Sequence, residues 1–165
     1  MPEQTDPMML ANTGLLEVAG PDAAKFLQGQ LTCDMTKITP GTSAIGVHCN
    51  PQGRIISLFY AANINQHFYL LMPVSLIPVT INALGKYAKF FKTQLRDATG
   101  EFQIIGGLRN EKSAATVHLP GKTQRKIFLV NTAEKQQLLP ADDEWRMLNI
   151  LENIPCIYPE TSGKF

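Results

Sequence analysis

The sequence predicts an α+β fold built on an antiparallel meander, and three observations predict it. Ile45, Val47 and Cys49 alternate with Ala44, Gly46 and His48, the two-residue period of a strand. Residues 54–62 and 67–72 follow as two further apolar runs, joined by the turn sequences Asn50-Pro51-Gln52-Gly53 and Asn63-Ile64-Asn65-Gln66. Ile77, Ile81, Leu84, Ala88 and Phe91 then recur at four-three-four-three spacing, which is one face of a helix. Helices that alternate unevenly with such a meander make split β-α-β units the expected connection.

The elements follow in order. Residues 10–18 read as a strand, or as a strand pair broken at Asn12-Thr13-Gly14. A helix over 21–29 comes next. Pro21 sits at its first position, where a missing N–H costs nothing, and Asp22 favours its positive start. Phe26, Leu27 and Leu31 can face a core, and Gln28, Thr32 and Asp34 can hold the helix and the turn after it. Pro40-Gly41 punctuates the chain before the first meander strand, 42–49. Ser75 is the expected cap of the next helix, with Pro78 tolerated in its first turn. Strands are predicted over 93–98, 102–108, 115–119 and 125–130. Thr132 caps a predicted helix to Leu139, and Asp142 or Asp143 opens another that contains Trp145, Met147, Leu148 and Leu151. The tail from Pro155 is irregular. One domain is expected, divisible into two close-packed lobes over about residues 1–92 and 93–165.

Composition narrows the function classes. A chain of 165 residues can bury roughly two-thirds of its unfolded surface, so one core needs no staples. Apolar content of 44% against 18% charged residues is that of a folded globule. Fifteen Lys and Arg against fourteen Asp and Glu leave no electrostatic footprint for direct nucleic-acid binding. Cys33, Cys49 and Cys156 are odd in number and share no ligand spacing, which favours reduced thiols over a disulfide scaffold or a zinc ribbon. The acidic, polar start from Met1 to Pro7 is not a signal peptide, and Pro73, Ser75 and Pro78 interrupt the greasiest run, so no membrane span is expected. A cytoplasmic location follows as the expectation.

Candidate chemistry is sparse. Thr116-Val117-His118-Leu119-Pro120-Gly121-Lys122-Thr123 imitates a phosphate loop, but it lacks the first glycine and Pro120 removes a needed N–H; it reads as a hairpin turn. His48, His67 and His118 lie on strands without partners at ligand spacing and read as structural residues. Cys33 beside Asp34 reads as an inert thiol, because a neighbouring carboxylate raises a thiol's pKa. No serine stands in a nucleophile elbow. Trp145, the single tryptophan, reads from its helical setting as a core anchor, and alternatively as a wall against which a flat heterocycle stacks.

A family resemblance goes further. Gly20 to Met35, with its Phe-Leu-Gln-Gly-Gln-Leu-Thr centre, resembles the opening of YgfZ-type folate-binding proteins of the aminomethyltransferase (glycine cleavage T-protein) superfamily. Val47-His48-Cys49-Asn50-Pro51-Gln52-Gly53-Arg54, Leu84-Gly85-Lys86-Tyr87-Ala88-Lys89-Phe90, Trp145-Arg146-Met147-Leu148-Asn149-Ile150 and Thr161-Ser162-Gly163-Lys164-Phe165 resemble later family segments in the right order. The resemblance implies the N-terminal lobes of the aminomethyltransferase-like folate-binding fold. It makes Trp145 a folate-stacking candidate, with Asn50, Arg54 and Ser57 offering polar contacts. Departures accompany it. Thr13 stands where the family can carry a second aromatic wall, and threonine cannot stack. Ser57 takes the place of the transferases' aspartate, which removes the main actor in proton handling. Leu151 replaces a family glutamate; Glu152 is one residue off, a helical rotation of ~100°. Asn153 stands at a family glycine and is the next-best residue for a left-handed cap. The family continues to a Lys-Gly-Cys-Tyr segment and a C-terminal barrel that this sequence does not contain, and Cys156 lies in a different context.

The function thus implied is a tetrahydrofolate-binding accessory protein. It would serve iron–sulfur cluster assembly or maintenance, with iron–sulfur enzymes or assembly factors as partners and an indirect link to tRNA modification. The alternatives are a tetrahydrofolate-dependent aminomethyltransferase of the glycine cleavage type, or a truncated remnant that binds nothing.

Overall fold

A computed structural model describes residues 6–165; the residues 1–5 that open the polar start lie outside the described residues. Two antiparallel sheets form. The larger holds β2 (Thr13–Ala19), β3 (Ser43–Cys49), β4 (Ile55–Ile64), β5 (His67–Pro73) and β6 (Gln94–Asp97) in the order β3-β4-β5-β2-β6. The smaller holds β1 (Met8–Met9), β7 (Phe102–Gly107), β8 (Ala115–His118) and β9 (Lys126–Asn131) in the order β1-β7-β9-β8. Three α-helices accompany them among the described residues: α1 (Ala23–Gln30), α2 (Ile77–Ala88) and α3 (Asp142–Leu151).

The expected meander is β3-β4-β5, with Val47 opposite Leu58 and Tyr60 opposite Leu71. Beyond it, β5 and β6 flank β2 and both run antiparallel to it, while α2 carries the chain from one to the other. Of the run expected over 10–18, only the part from Thr13 is a strand, β2, which pairs with β5 and β6; residues 10–12 turn, and the short β1 before them pairs with β7 in the other sheet.

The middle of the larger sheet is buried on both faces, which is why β2 and β5 are buried without alternation. One face carries α1 and α2 over Leu16, Val18, Phe59 and Leu70, with Phe26, Leu27 and Leu84 supplied by the helices. The other face packs Leu15, Tyr69 and Leu71 against Ile104, Val117 and Leu129 of the smaller sheet. Ile105, Phe128 and Val130 point out of the smaller sheet and are met by Leu138.

Three local expectations yield to tertiary contacts. Ser75 does not cap α2: a 3-10 turn, Val74–Leu76, leads directly into the helix, and no side chain caps its first N–H groups. Pro21 does not take the first position of α1, which begins at Ala23 behind Asp22; the Asp22 carboxylate instead accepts the Lys92 N–H at 2.9 Å and ties the helix start to the chain just before β6. The helix predicted from Thr132 to Leu139 is a correction. Only a 3-10 turn, Thr132–Glu134, forms, after which residues 135–139 are irregular. The Gln103 side chain donates to the Gln136 carbonyl and accepts its N–H, both at 2.8 Å, and so replaces helical bonds. Helix propensity without an apolar stripe does not compete with that.

The foreseen brace around α1 is present in detail. Gln28 Oε1 accepts the Met35 N–H at 2.7 Å, Thr32 Oγ1 accepts the Val47 N–H at 3.0 Å, and Asp34 Oδ1 accepts the Thr36 N–H at 3.0 Å. A second polar cluster sits on β2, β5 and β6. Glu17, 5% exposed, meets Arg96 and His67, and Tyr69 donates its hydroxyl to the same carboxylate. Burial pushes the Glu17 carboxyl up. The bonds and charges of His67 and Arg96 outweigh that and hold it below its ordinary value.

Candidate functional site

Where the two sheets meet, a cavity of about 350 Å³ opens between β4, β5, the entry to α2, α3 and the tail that follows it. Its apolar wall includes Leu58, Leu71, Leu119, Ile127 and Ile154. Its aromatic groups are Tyr60 from β4, Trp145 from α3 and Tyr158 from the tail. Thr13, Asn149 and the exposed Asp143 and Arg146 add polar character. An apolar cleft of this size with a few polar groups suits a small organic ligand.

The wall is built by fixing α3 at both ends. Asp142 Oδ1 and Oδ2 accept the N–H groups of Asn12 and Ala11 at 2.7 and 3.1 Å, pinning the helix start to the β1–β2 turn. At the other end the N–H of Ile154 bonds the Asn149 carbonyl and that of Asn153 bonds Ile150, with Asn153 at φ 56°. That is the Schellman arrangement, and it turns Ile154, Pro155 and Cys156 back into the cavity wall. Glu152 accepts the Thr123 N–H at 3.0 Å, which fastens the helix end to the β8–β9 turn. Gly121 in that turn has φ +119° and leaves no room for a Cβ beside the Glu152 carboxylate. The phosphate-loop look-alike is therefore a hairpin connection.

Trp145 is 7% exposed. The Arg125 guanidinium carbon lies 4.4 Å from its ring centroid, and its Cζ3, Cε3 and Cη2 atoms rest against Gly106 of β7. The indole thus joins the core, as its helical setting suggests, and also lines the cavity. The Tyr60 hydroxyl is buried without a hydrogen-bond partner. Burial pushes its pKa up to about 12, so it remains a phenol and a donor. Burial also pushes the Cys156 thiol up, which keeps it protonated at neutral pH.

The other residues expected at a ligand site lie elsewhere. Asn50 occupies the β3–β4 turn, where its Oδ1 accepts the N–H groups of Gln52 and Arg54 at 3.0 and 2.9 Å. Arg54 is exposed beside it, and neither lines the cavity. Ser57 is fully buried in β4, with its hydroxyl unpartnered and outside the cavity lining. Thr13 does line it. Sequence reading missed Tyr60, Asn149 and Tyr158 as wall residues. Among the described residues no group of three His, Cys, Asp or Glu side chains could hold a metal, and no helix is long and apolar enough to cross a membrane.

Comparison with protein-family models finds no match. An uncharacterised protein of Haemophilus influenzae is 31% identical over 156 residues, covering 92% of this chain and 54% of that protein. The tRNA-modifying protein YgfZ of Photobacterium profundum is 30% identical over 138 residues, covering 82% of this chain and 40% of its own length. The YgfZ protein of Colwellia psychrerythraea is 25% identical across 94% of this chain. The chain spans about half the length of the curated relatives it matches. Among solved structures, the glycine cleavage system aminomethyltransferase T of Bartonella henselae superposes with a TM-score of 0.54 at 21% identity, over 61% of this chain and 27% of that one. That likeness concerns the fold.

Proposed function

We propose that this chain, YgfZ-like by its relatives, belongs to the aminomethyltransferase superfamily and binds tetrahydrofolate in the cavity between its two sheets. The observation that carries the reading is the cavity's own make-up: about 350 Å³, largely apolar, with Trp145, Tyr60 and Tyr158 in its wall. A pterin is flat and bicyclic, and aromatic walls hold such rings by stacking and apolar contact. Tyr60 offers one buried hydroxyl to an acceptor on the ring. Arg146, exposed and 5.6 Å over the Tyr158 ring, offers a cation to the carboxylates of the folate tail. Of the four residues expected to meet folate, Trp145 is the one in the cavity wall, and it is the proposed stacking partner.

Binding rather than transfer is the favoured role. Ser57, at the position that resembles the transferases' aspartate, has no titratable group and is sealed in β4. Relatives named as tRNA-modifying proteins support a part in tRNA modification. In this reading the part is indirect, through enzymes that depend on iron–sulfur clusters. A net charge of +1 agrees with an absence of direct tRNA contact.

Titration with tetrahydrofolate tests the reading, followed by calorimetry and by Trp145 fluorescence. Saturable heat with quenching is expected. Absence of both, together with an unshifted melting temperature, would remove folate binding by this chain.

A further inference from the structure

We infer that Arg125 is a positioning residue for the cavity, a clamp on α3 that sets the plane of Trp145. Arg125 sits just before β9, where its carbonyl accepts the Leu119 N–H and closes the β8–β9 connection. Only 2% of it is exposed, which is rare for an arginine. Its side-chain hydrogen bond, ion pair and ring contact all fall on α3 or its cap. The guanidinium lies over the Trp145 ring, Nη2 donates to Asn149 Oδ1 at 2.9 Å, and Nη2 stands 3.6 Å from Glu152 Oε2. Positions 145, 149 and 152 are spaced by four and three, so one side chain grips one stripe of the helix.

Nε and Nη1 have no acceptor. A buried cation with two unused donors is unfavourable unless its remaining contacts hold it, and burial pulls its pKa down even with Glu152 opposing. The contact that suits its planar shape is the face of an indole, which a lysine ammonium matches poorly. Gly106 supplies the complementary limit. A Cβ there would lie 2.6 Å from Trp145 Cζ3, so the ring has no room to slide toward β7. Arg125 and Gly106 together leave the ring one resting place, and two other members of the assembly, Trp145 and Asn149, line the cavity.

The effect on ligand binding rests on the folate reading; the clamp on Trp145 does not. The test uses Arg125→Lys, which keeps the charge and loses the plane, with Gln28→Ala on α1 as a destabilised control away from the cavity. Arg125→Lys is expected to keep its circular dichroism, to lower the anisotropy and red-shift the emission of Trp145, and to weaken tetrahydrofolate binding at least tenfold. Gln28→Ala is expected to lower the melting temperature with Trp145 emission and affinity unchanged. Wild-type emission and anisotropy in Arg125→Lys would overturn the clamp. Altered emission with affinity within twofold of wild type would overturn its role in the site. Should Arg125→Lys not fold, Arg125→Met, which keeps the aliphatic bulk without a buried charge, is read by the same criteria. If the wild-type chain shows no tetrahydrofolate binding, the folate reading falls, and emission and anisotropy alone decide the clamp.

Discussion

Replacing Gly106 by alanine sets a single methyl group against the cavity's tryptophan. The added Cβ would stand 2.6 Å from Cζ3 and 2.8 Å from both Cε3 and Cη2 of Trp145. Carbon atoms prefer separations of about 3.5–4.0 Å, so three ring atoms overlap the methyl by roughly 1 Å. Relief is restricted, because Gly106 lies in the ladder opposite Met8 and Ile127, and Trp145 is held by Arg125. Overpacking of this kind costs about 1–3 kcal/mol, and three contacts on a rigid ring place it near 3. Removing a glycine from a strand returns about 0.5–1 kcal/mol. The net is about 2 kcal/mol of destabilisation. With an unfolding entropy of about 2.1 cal/mol/K per residue, the melting temperature should fall by roughly 6 °C. Thermal unfolding by circular dichroism measures the loss, and Trp145, the only tryptophan, reports the ring's displacement through its emission. A melting temperature within a degree of wild type, with unchanged emission, would refute the packing argument.

Other perturbations probe the polar groups. Glu17→Gln removes a carboxylate whose folded pKa is held below its ordinary value. That group stabilises the fold above the unfolded pKa, and its contribution disappears as pH falls through the depressed folded value. The variant should be less stable by about 1–2 kcal/mol at pH 7, the half-exposed Arg96 being partly screened, and should lose less on acidification below about pH 4.5. Melting curves from pH 7 to 3 check this, and parallel pH profiles would count against it. Tyr60→Phe deletes a buried, unpartnered hydroxyl, so the free chain should be as stable or up to about 1 kcal/mol more stable. Weaker tetrahydrofolate binding at unreduced stability would then mark the hydroxyl as a ligand contact. Ser57→Ala should likewise fold at least as well as wild type and leave affinity unchanged, since the serine lies outside the cavity lining. Chemical denaturation and calorimetry on the same sample decide it.

The sequence by itself determined what depends on neighbours along the chain. Alternation through Ile45, Val47 and Cys49 specified a strand, and the stripe from Ile77 to Leu84 specified a helix, because the periods of 2 and 3.6 residues are local geometry. Asn153 as a left-handed cap was legible through the resemblance, which sets it at a family glycine, and its φ of 56° agrees. Propensity alone misled between Thr132 and Leu139, where a side chain from β7, Gln103, claimed the backbone of Gln136. The site was decided by tertiary structure. Tyr60, Arg125, Trp145 and Tyr158 are widely separated in the chain, and no spacing rule joins them. The stacking of the smaller sheet on the larger brings β4 and β9 to a common cavity, and α3 closes it. In the sequence Arg125 only marked the start of a predicted strand. Its burial follows from the hairpin ending beneath Trp145, a consequence of packing that no local pattern encodes.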